Sequence, residues 1–421
     1  MTNEDQDEED YTPRIVVLGA GPIGIETALY ARYLGYEVAV VERASVANNV
    51  KRWGHVQMFS PFTMNRSTLG VAALQAQFES MNWPADDAML TGDEFADSYL
   101  LPLSKTDLLA GCIHENVEVI SVARDGILKT DTVDLDREEF QFRVLVRGSD
   151  GEDTIEADVV IDTTGVFDQP NFIGHGGLPA LGELESSPAF HAHLPDILGS
   201  QRAEFDGKRV LVVGNGYSAA TNIVALAELS QQNADTKTTW LTRRESPPAG
   251  PIPVADNDRL PERNKLSEMA NAATKQSGVQ HADQTSVLAV SKEANGAFRV
   301  TLGGKLTGDH QFDSIISCTG YRPNTSISRE LQIDLCAATE APQPMSDWFQ
   351  SLGTIDAVEQ TSPGVQTLQN PEPNFFVLGS KSFGRNSNFL LALGLQQIRD
   401  AFAHIADREE LDLYKTMSNL V

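Results

Sequence analysis

Two stretches of this chain repeat one local pattern, and that repetition constrains the fold more than any other feature. Residues 15–18, IVVL, form an apolar run suited to a strand buried on both faces. Gly19-Ala20-Gly21-Pro22-Ile23-Gly24 follows, and then Ile25, Ala28, Leu29, Ala31 and Leu34 mark a helix that stops at Gly35. Residues 37–41, EVAVV, form a second buried strand ending at Glu42. The same order returns about 195 residues later: RVLVV at 209–213, the turn Gly214-Asn215-Gly216-Tyr217-Ser218-Ala219, a small-residue helix over 219–230, and a strand, TTWLT, over 238–242. This is a duplicated strand–turn–helix–strand unit rather than a solenoid repeat.

Each turn has a physical purpose. In G-x-G-x-x-G the first glycine makes the tight turn and the second lets backbone N–H groups approach a pyrophosphate. The third lets helix and strand pack closely, with the phosphate at the positive end of the helix dipole. Gly19, Gly21 and Gly24 fill these roles, and Glu42 lies where its carboxylate can accept ribose hydroxyls. In the second copy the set is Gly214, Gly216 and Ala219, with Ser218 inside the turn. Where Glu42 stood, this copy has Thr242 or Arg243, followed by Arg244; two guanidinium groups suit a ribose carrying a 2′-phosphate, so the expectation is NADPH over NADH. Two dinucleotide sites imply a tightly held flavin and a diffusible nicotinamide.

Between the two units, Thr91 to Leu103 reads as a helix, with Thr91 and Glu94 at capping-box spacing. Residues 51–70 read as a long loop, and 116–122, 140–147 and 157–164 as strands. Residues 166–206 read as a connection. Further on, the pattern predicts a helix around 263–276, strands over 285–303, 312–317 and 375–378, and a closing helix from about 389 to 406.

The chain has 421 residues, enough for two or three domains, and its 41% hydrophobic content excludes a disordered polymer. The formal charge of −27 repels phosphate backbones and anionic lipid, so neither nucleic acid nor membrane is expected as a partner. No apolar run of about 18 residues occurs. The acidic N-terminus does not read as a signal peptide, so residues 1–12 are expected to be a disordered tail and the compartment the cytoplasm. No metal site is expected: Cys112, Cys318 and Cys336 are scattered, without a C-x-x-C pair or a zinc ligand set.

The order of motifs resembles the two-dinucleotide-binding-domain flavoproteins, the superfamily of thioredoxin reductase-like enzymes and flavin-containing monooxygenases. Thr163-Thr164-Gly165 is similar to the turn that leaves the family's first domain, and Thr319-Gly320-Tyr321-Arg322-Pro323-Asn324 to the turn that returns to it. The resemblance implies an α/β fold: two Rossmann-like, three-layer dinucleotide-binding domains, an NADPH domain (169–310) inserted into a discontinuous FAD domain (13–168 and 311–421). The family's last motif carries Gly-Asp; here Gly379 and Ser380 stand in its place, followed by Lys381 and, further on, Arg385. Cofactor contacts implied in this way fall on Thr164, Gly165, Thr319, Gly320, Gly379 and Ser380.

The missing cysteine pair disfavours a thioredoxin reductase-type function and leaves a monooxygenase-like enzyme acting on a small molecule as the preferred reading. Three residues are candidates for chemistry. Trp53 and His55 lie in KRWGHVQMFSP, a segment similar to the region near the flavin ring in monooxygenase-like flavoproteins; the resemblance implies that Trp53 and Phe59 wall the ring and that Arg52, His55, Ser60 or Asn65 supplies polar contacts to the cofactor. His191, in FHAHLPD, partly resembles a monooxygenase signature, as does His193. The alternatives are a cysteine-pair-free reductase of a small disulfide, quinone or other acceptor, and a flavin-binding redox sensor. Association into a homodimer is an expectation from resemblance alone.

Overall fold

A computed structural model of the chain describes residues 12–78, 80–131, 135–255, 258–353 and 356–418. Apart from Thr12, the expected disordered tail lies outside the described residues. In chain order the strands are β1 (Arg14–Leu18), β2 (Glu37–Glu42), β3 (Ile113–Glu115), β4 (Glu118–Arg124), β5 (Phe142–Gly148), β6 (Gly151–Ala157) and β7 (Val159–Asp162). Then come β8 (Arg209–Val213), β9 (Lys237–Leu241), β10 (Val279–Ala282), β11 (Thr285–Lys292), β12 (Phe298–Gly304), β13 (Gly308–Phe312), β14 (Ser314–Ser317) and β15 (Phe375–Val377).

Two parallel sheets carry the architecture. The first has the order β15-β7-β1-β2-β3 and the second β10-β9-β8-β14. Each has a three-stranded antiparallel companion, β4-β5-β6 beside the first and β11-β12-β13 beside the second. The second sheet's strands lie between β7 and β15 in the chain, so one Rossmann-like unit is inserted into another within an α/β fold.

The runs 15–18 and 210–212 are fully buried, as strands covered on both faces require. The helices Pro22–Tyr33 and Tyr217–Gln232 follow them. The closing helix, Leu391–Ile405, reaches the front of the first helix because Gly394 leaves no room for anything larger: a Cβ there would lie 2.4 Å from Ile23 Cδ1.

The expected boundary at 311 needs correction. It falls inside β13, and β14 pairs in parallel with β8, from Ser314 with Val210 to Ser317 with Val213. The second unit therefore keeps its last strand, and the return begins at Cys318. The Thr91/Glu94 capping box is present in both directions, and helical structure runs from Gly92 to Leu103, with a wider π turn over Ala96–Leu100. Residues 51–70 are not all loop. A helix, Thr68–Gln77, starts inside them, capped by the Ser67 side chain accepting from the Gly70 amide at 2.7 Å and seated by buried Leu69, Val71 and Leu74. Among the described residues no helix is long and apolar enough to cross a membrane.

Candidate functional site

The two glycine turns are built alike. The Gly19 amide donates to Val41 O at 2.8 Å and the Gly214 amide to Leu241 O at 3.0 Å, so each turn hangs from the end of the neighbouring strand. Gly19 has φ +95° and Gly214 φ +129°, conformations that other residues rarely adopt. A Cβ on Gly24 would lie 1.9 Å from Gly19 O, so this position brings helix against strand. Ala219, its counterpart, is fully buried. Gly21 and Gly216 differ from these: a Cβ on either would meet nothing within 4 Å. Both are helix N-caps with no side chain satisfying the first amides. An open approach to unsatisfied amides at a helix N-terminus fits a pyrophosphate in both units.

Glu42 closes the first turn. Its carboxylate accepts from the Ala20 amide at 2.8 Å and the Ala44 amide at 2.9 Å, leaving lone pairs free on both oxygens. A cleft open to solvent runs from Gly19, Gly21 and Glu42 past Thr164 and Gly165 to Asn324. Gly165, at φ +70°, faces Ser380: a Cβ on it would lie 3.4 Å from Ser380 Oγ. Gly379, at φ +72°, packs on Ile23 at the front of the first helix. Sequence reasoning missed what lies beneath. The Lys381 ammonium donates to Asp162 Oδ2 at 2.6 Å and to Thr164 Oγ1 at 2.9 Å, while Thr164 Oγ1 donates to Asp162 Oδ1 at 2.7 Å. No local signal links a lysine and an aspartate that lie 219 residues apart.

In the second unit the Trp240 indole donates to Gly214 O at 2.7 Å and steadies the turn from below. Ser218 is half-buried in the first helical turn, and its carbonyl accepts from Asn222 Nδ2 at 2.8 Å. Thr242 is buried and bonded to His281, whereas Arg243 and Arg244 are exposed just beyond β9. Among the described residues neither arginine has an ion-pair partner. Exposed, uncompensated guanidinium groups at this place fit a phosphate on the ribose.

Arg52 is drawn to the segment leaving the first unit. Arg52 Nη1 donates to Asp168 Oδ1 at 2.6 Å and to Asn49 Oδ1 at 3.1 Å, and Arg43 pairs with the same carboxylate. Burial raises the Asp168 carboxyl, but the Asn49 hydrogen bond and the Arg43 and Arg52 groups outweigh it and hold the pKa below the usual carboxylate value. Arg52 also contacts His193, whose ring stacks on Phe167 at 4.3 Å and meets the Tyr321 hydroxyl at 3.3 Å. Burial first and the Arg52 charge second bring His193 down to about 4, so its ring is neutral near pH 7.

The other candidates are more scattered. Trp53 packs against Gly92, where a Cβ would lie 2.7 Å from the indole, and lies half-buried against the core. His55 and Phe59 line a second groove, facing Pro195, Thr221 and Leu266 of the inserted unit. Ser60 and Asn65 bond each other in the interior. His191 carries the chain alongside Ile316, its amide donating to Ile315 O at 2.9 Å, and its ring lies against Phe205 and Glu204. Thr319 and Gly320 zip the returning chain to the outgoing one: Thr319 Oγ1 donates to Asn171 O at 2.5 Å and Gly320 O accepts from the Asn171 amide at 2.9 Å.

The three cysteines are free. Burial raises the thiol of Cys112 and pushes Cys318 up to about 12. Hydrogen bonds from Ser346 and Thr339 bring Cys336 down to about 6. Among the described residues no group of three or more His, Cys, Asp or Glu side chains could hold a metal ion.

Comparison with known proteins agrees with this fold. A family model described as pyridine nucleotide-disulphide oxidoreductase matches residues 16–347. No curated protein matches the chain in sequence. Among solved structures, the chain is similar to bacillithiol disulfide reductase from Bacillus cereus: TM-score 0.64 at 18% identity, covering 94% of this chain and 98% of that one. It is similar to the ornithine N-hydroxylase of Kutzneria sp. 744, solved with reduced FAD, NADP+ and L-ornithine: TM-score 0.62 at 15% identity, over 95% and 100% of the two chains. It also resembles a flavin-containing monooxygenase from Stenotrophomonas maltophilia: TM-score 0.56 at 20% identity, over 94% and 99%. At these identities the likeness is one of fold.

Proposed function

The chain belongs to the pyridine nucleotide-disulphide oxidoreductase family, and from that premise we propose an FAD-containing, NADPH-dependent oxidoreductase of monooxygenase-like type acting on a small molecule. The first cleft suits FAD: the Gly21 turn offers amides to the pyrophosphate, Glu42 offers carboxylate oxygens to the ribose, and Gly165 and Ser380 border the path toward the flavin. The second turn suits NADPH, with Gly216 open to the pyrophosphate and Arg243 and Arg244 beside the ribose. Bound there, the flavin supplies hydride acceptance from the nicotinamide and delivery of reducing equivalents to oxygen and substrate. The residues of the chain orient and enclose. Trp240 and Lys381 steady the two turns, and Arg52, Asp168 and Tyr321 hold the connecting segments together.

The observation that favours oxygen over a protein disulfide is the separation of the cysteines. Cys112 precedes β3, Cys318 follows β14, and Cys336 sits ahead of the Gln343–Ser351 helix, each free. A second reading, reduction of a small disulfide that meets the flavin directly, is supported by the family's own description.

The test is anaerobic reduction followed by competition. The purified protein is expected to be yellow and to be bleached by NADPH. Recovery of colour with oxygen ahead of an added low-molecular-weight disulfide supports the first reading. The reverse order supports the second, and failure of NADPH to bleach bound FAD sinks both.

A further inference from the structure

Arg322 and Arg385 converge on one side-chain oxygen. Arg322 Nε donates to Asn171 Oδ1 at 3.2 Å and Arg385 Nη2 donates to the same atom at 3.4 Å. Asn171 is not free to turn its amide over, because its Nδ2 donates to Thr319 O at 3.2 Å. Glu340 is the resident counter-charge, with Oε1 at 3.6 Å from a guanidinium nitrogen of each arginine. That separation is well beyond the ~2.7–2.9 Å of a charge-assisted hydrogen bond. Each guanidinium carries five N–H donors. Among the described residues, Asn171 is the only hydrogen-bond acceptor found for either one. The local charge is two positive against one negative, in a chain of net charge −27.

The place is built rather than incidental. Glu340 has φ +60°, an uncommon conformation for a residue with a side chain. It is held by Gly384, at φ +58°, where a Cβ would lie 2.1 Å from Thr339 O and 2.5 Å from the Ala341 amide nitrogen. The Arg385 amide donates to Thr339 O at 2.8 Å and the Arg322 amide to Gln169 O at 2.9 Å. Gln169, whose carbonyl accepts from the Arg322 amide, and Asn324, two residues beyond Arg322, line the cleft assigned above to FAD. Arg322 and Arg385 are 38% and 37% exposed, open enough to receive a ligand and anchored enough to hold one geometry.

We propose that Arg322 and Arg385, set by Asn171 and loosely countered by Glu340, form a subsite for the carboxylate of a small substrate at the mouth of the flavin cleft. Paired planar forks match a carboxylate, and the Glu340 carboxylate already lying between them shows that the gap admits one. Pyrophosphate has its own place at Gly21. The inference rests on the flavoenzyme reading above.

Titration calorimetry of the FAD-loaded protein with succinate, against chloride at equal ionic strength, tests it. Succinate is expected to bind saturably. Arg385→Gln and Arg322→Gln are each expected to weaken binding about tenfold or more, whereas Glu340→Gln, which removes the competing charge, tightens it severalfold. No saturable binding, equal affinity for inorganic phosphate, or weaker binding in Glu340→Gln overturns the subsite. The FAD content of each sample is read separately by absorbance. Protein that carries and takes up no FAD fails the flavoenzyme reading, and the succinate titration of that protein still judges the arginine pair.

Discussion

The Lys381 ammonium lies 2.6 Å from Asp162 Oδ2, with the two side chains 4% and 1% exposed. The pair ties the turn after β15 to the end of β7, directly under Thr164 and Gly165. Its effect is to make the floor of the first cleft a single unit from two distant parts of the chain.

Breaking that pair from one side strands a buried charge. Lys381→Met is therefore expected to cost about 3–5 kcal/mol in chemical denaturation and to lower the FAD retained on purification. The double variant Lys381→Met/Asp162→Asn, which leaves no charge behind, is expected to recover most of the stability. Recovery of stability without recovery of FAD content identifies the lysine as a positioning residue for the cofactor turn.

Gly21 and Gly24 have separable roles. Gly24→Ala places a methyl 1.9 Å from Gly19 O and is expected to disrupt packing of the first helix and lower Tm. Gly21 has φ −77°, which alanine adopts freely, and open space around it. Gly21→Ala is expected to keep Tm of the cofactor-free protein nearly unchanged while weakening FAD binding at least about tenfold, a loss of ~1.4 kcal/mol or more. Fluorescence titration of the apoprotein with FAD measures the second effect and calorimetry the first.

Arg243 and Arg244 are exposed at the end of β9 without ion-pair partners among the described residues. A charge-assisted contact contributes about 1.5–3 kcal/mol, so kcat/KM for NADPH is expected to exceed that for NADH by ~10–100-fold. Arg243→Glu is expected to abolish or invert the ratio. An unchanged ratio removes the arginine from nucleotide selection.

Glu26, on the first nucleotide helix, is 2% exposed; it accepts from the Tyr99 hydroxyl, and its Oε2 has no partner. Burial, opposed by the Tyr99 and Ser67 hydrogen bonds, raises its pKa from 4.5 to about 7. An acid raised on folding contributes its full stability below the unfolded value. That contribution is lost as pH rises from 4.5 through 7. Glu26→Gln is expected to remove this slope and, above pH 7, to be more stable than the parent by up to about 3 kcal/mol. Parallel profiles for the two proteins in denaturation across that range contradict the assignment.

What could be read in advance follows the range of the forces involved. The buried runs 15–18 and 210–212, the glycine turns and the Thr91/Glu94 cap are local: backbone sterics and burial period act within a few residues, so the sequence alone determined two nucleotide-binding units, while the insertion of one in the other was implied by the family resemblance. Even there the reading erred by a strand at β13 and β14, because one short apolar run serves either sheet equally well until its partner is known. Tertiary structure alone decided the rest. It paired Lys381 with Asp162 and gathered Asn171, Arg322 and Arg385 around one oxygen. It also laid Trp53 against the core beside Gly92 and kept His191 on the inserted unit while bringing His193 to Arg52. Such contacts join residues up to 219 positions apart. A buried charge must find its counter-ion wherever the fold delivers it, and that requirement leaves no periodic trace along the chain.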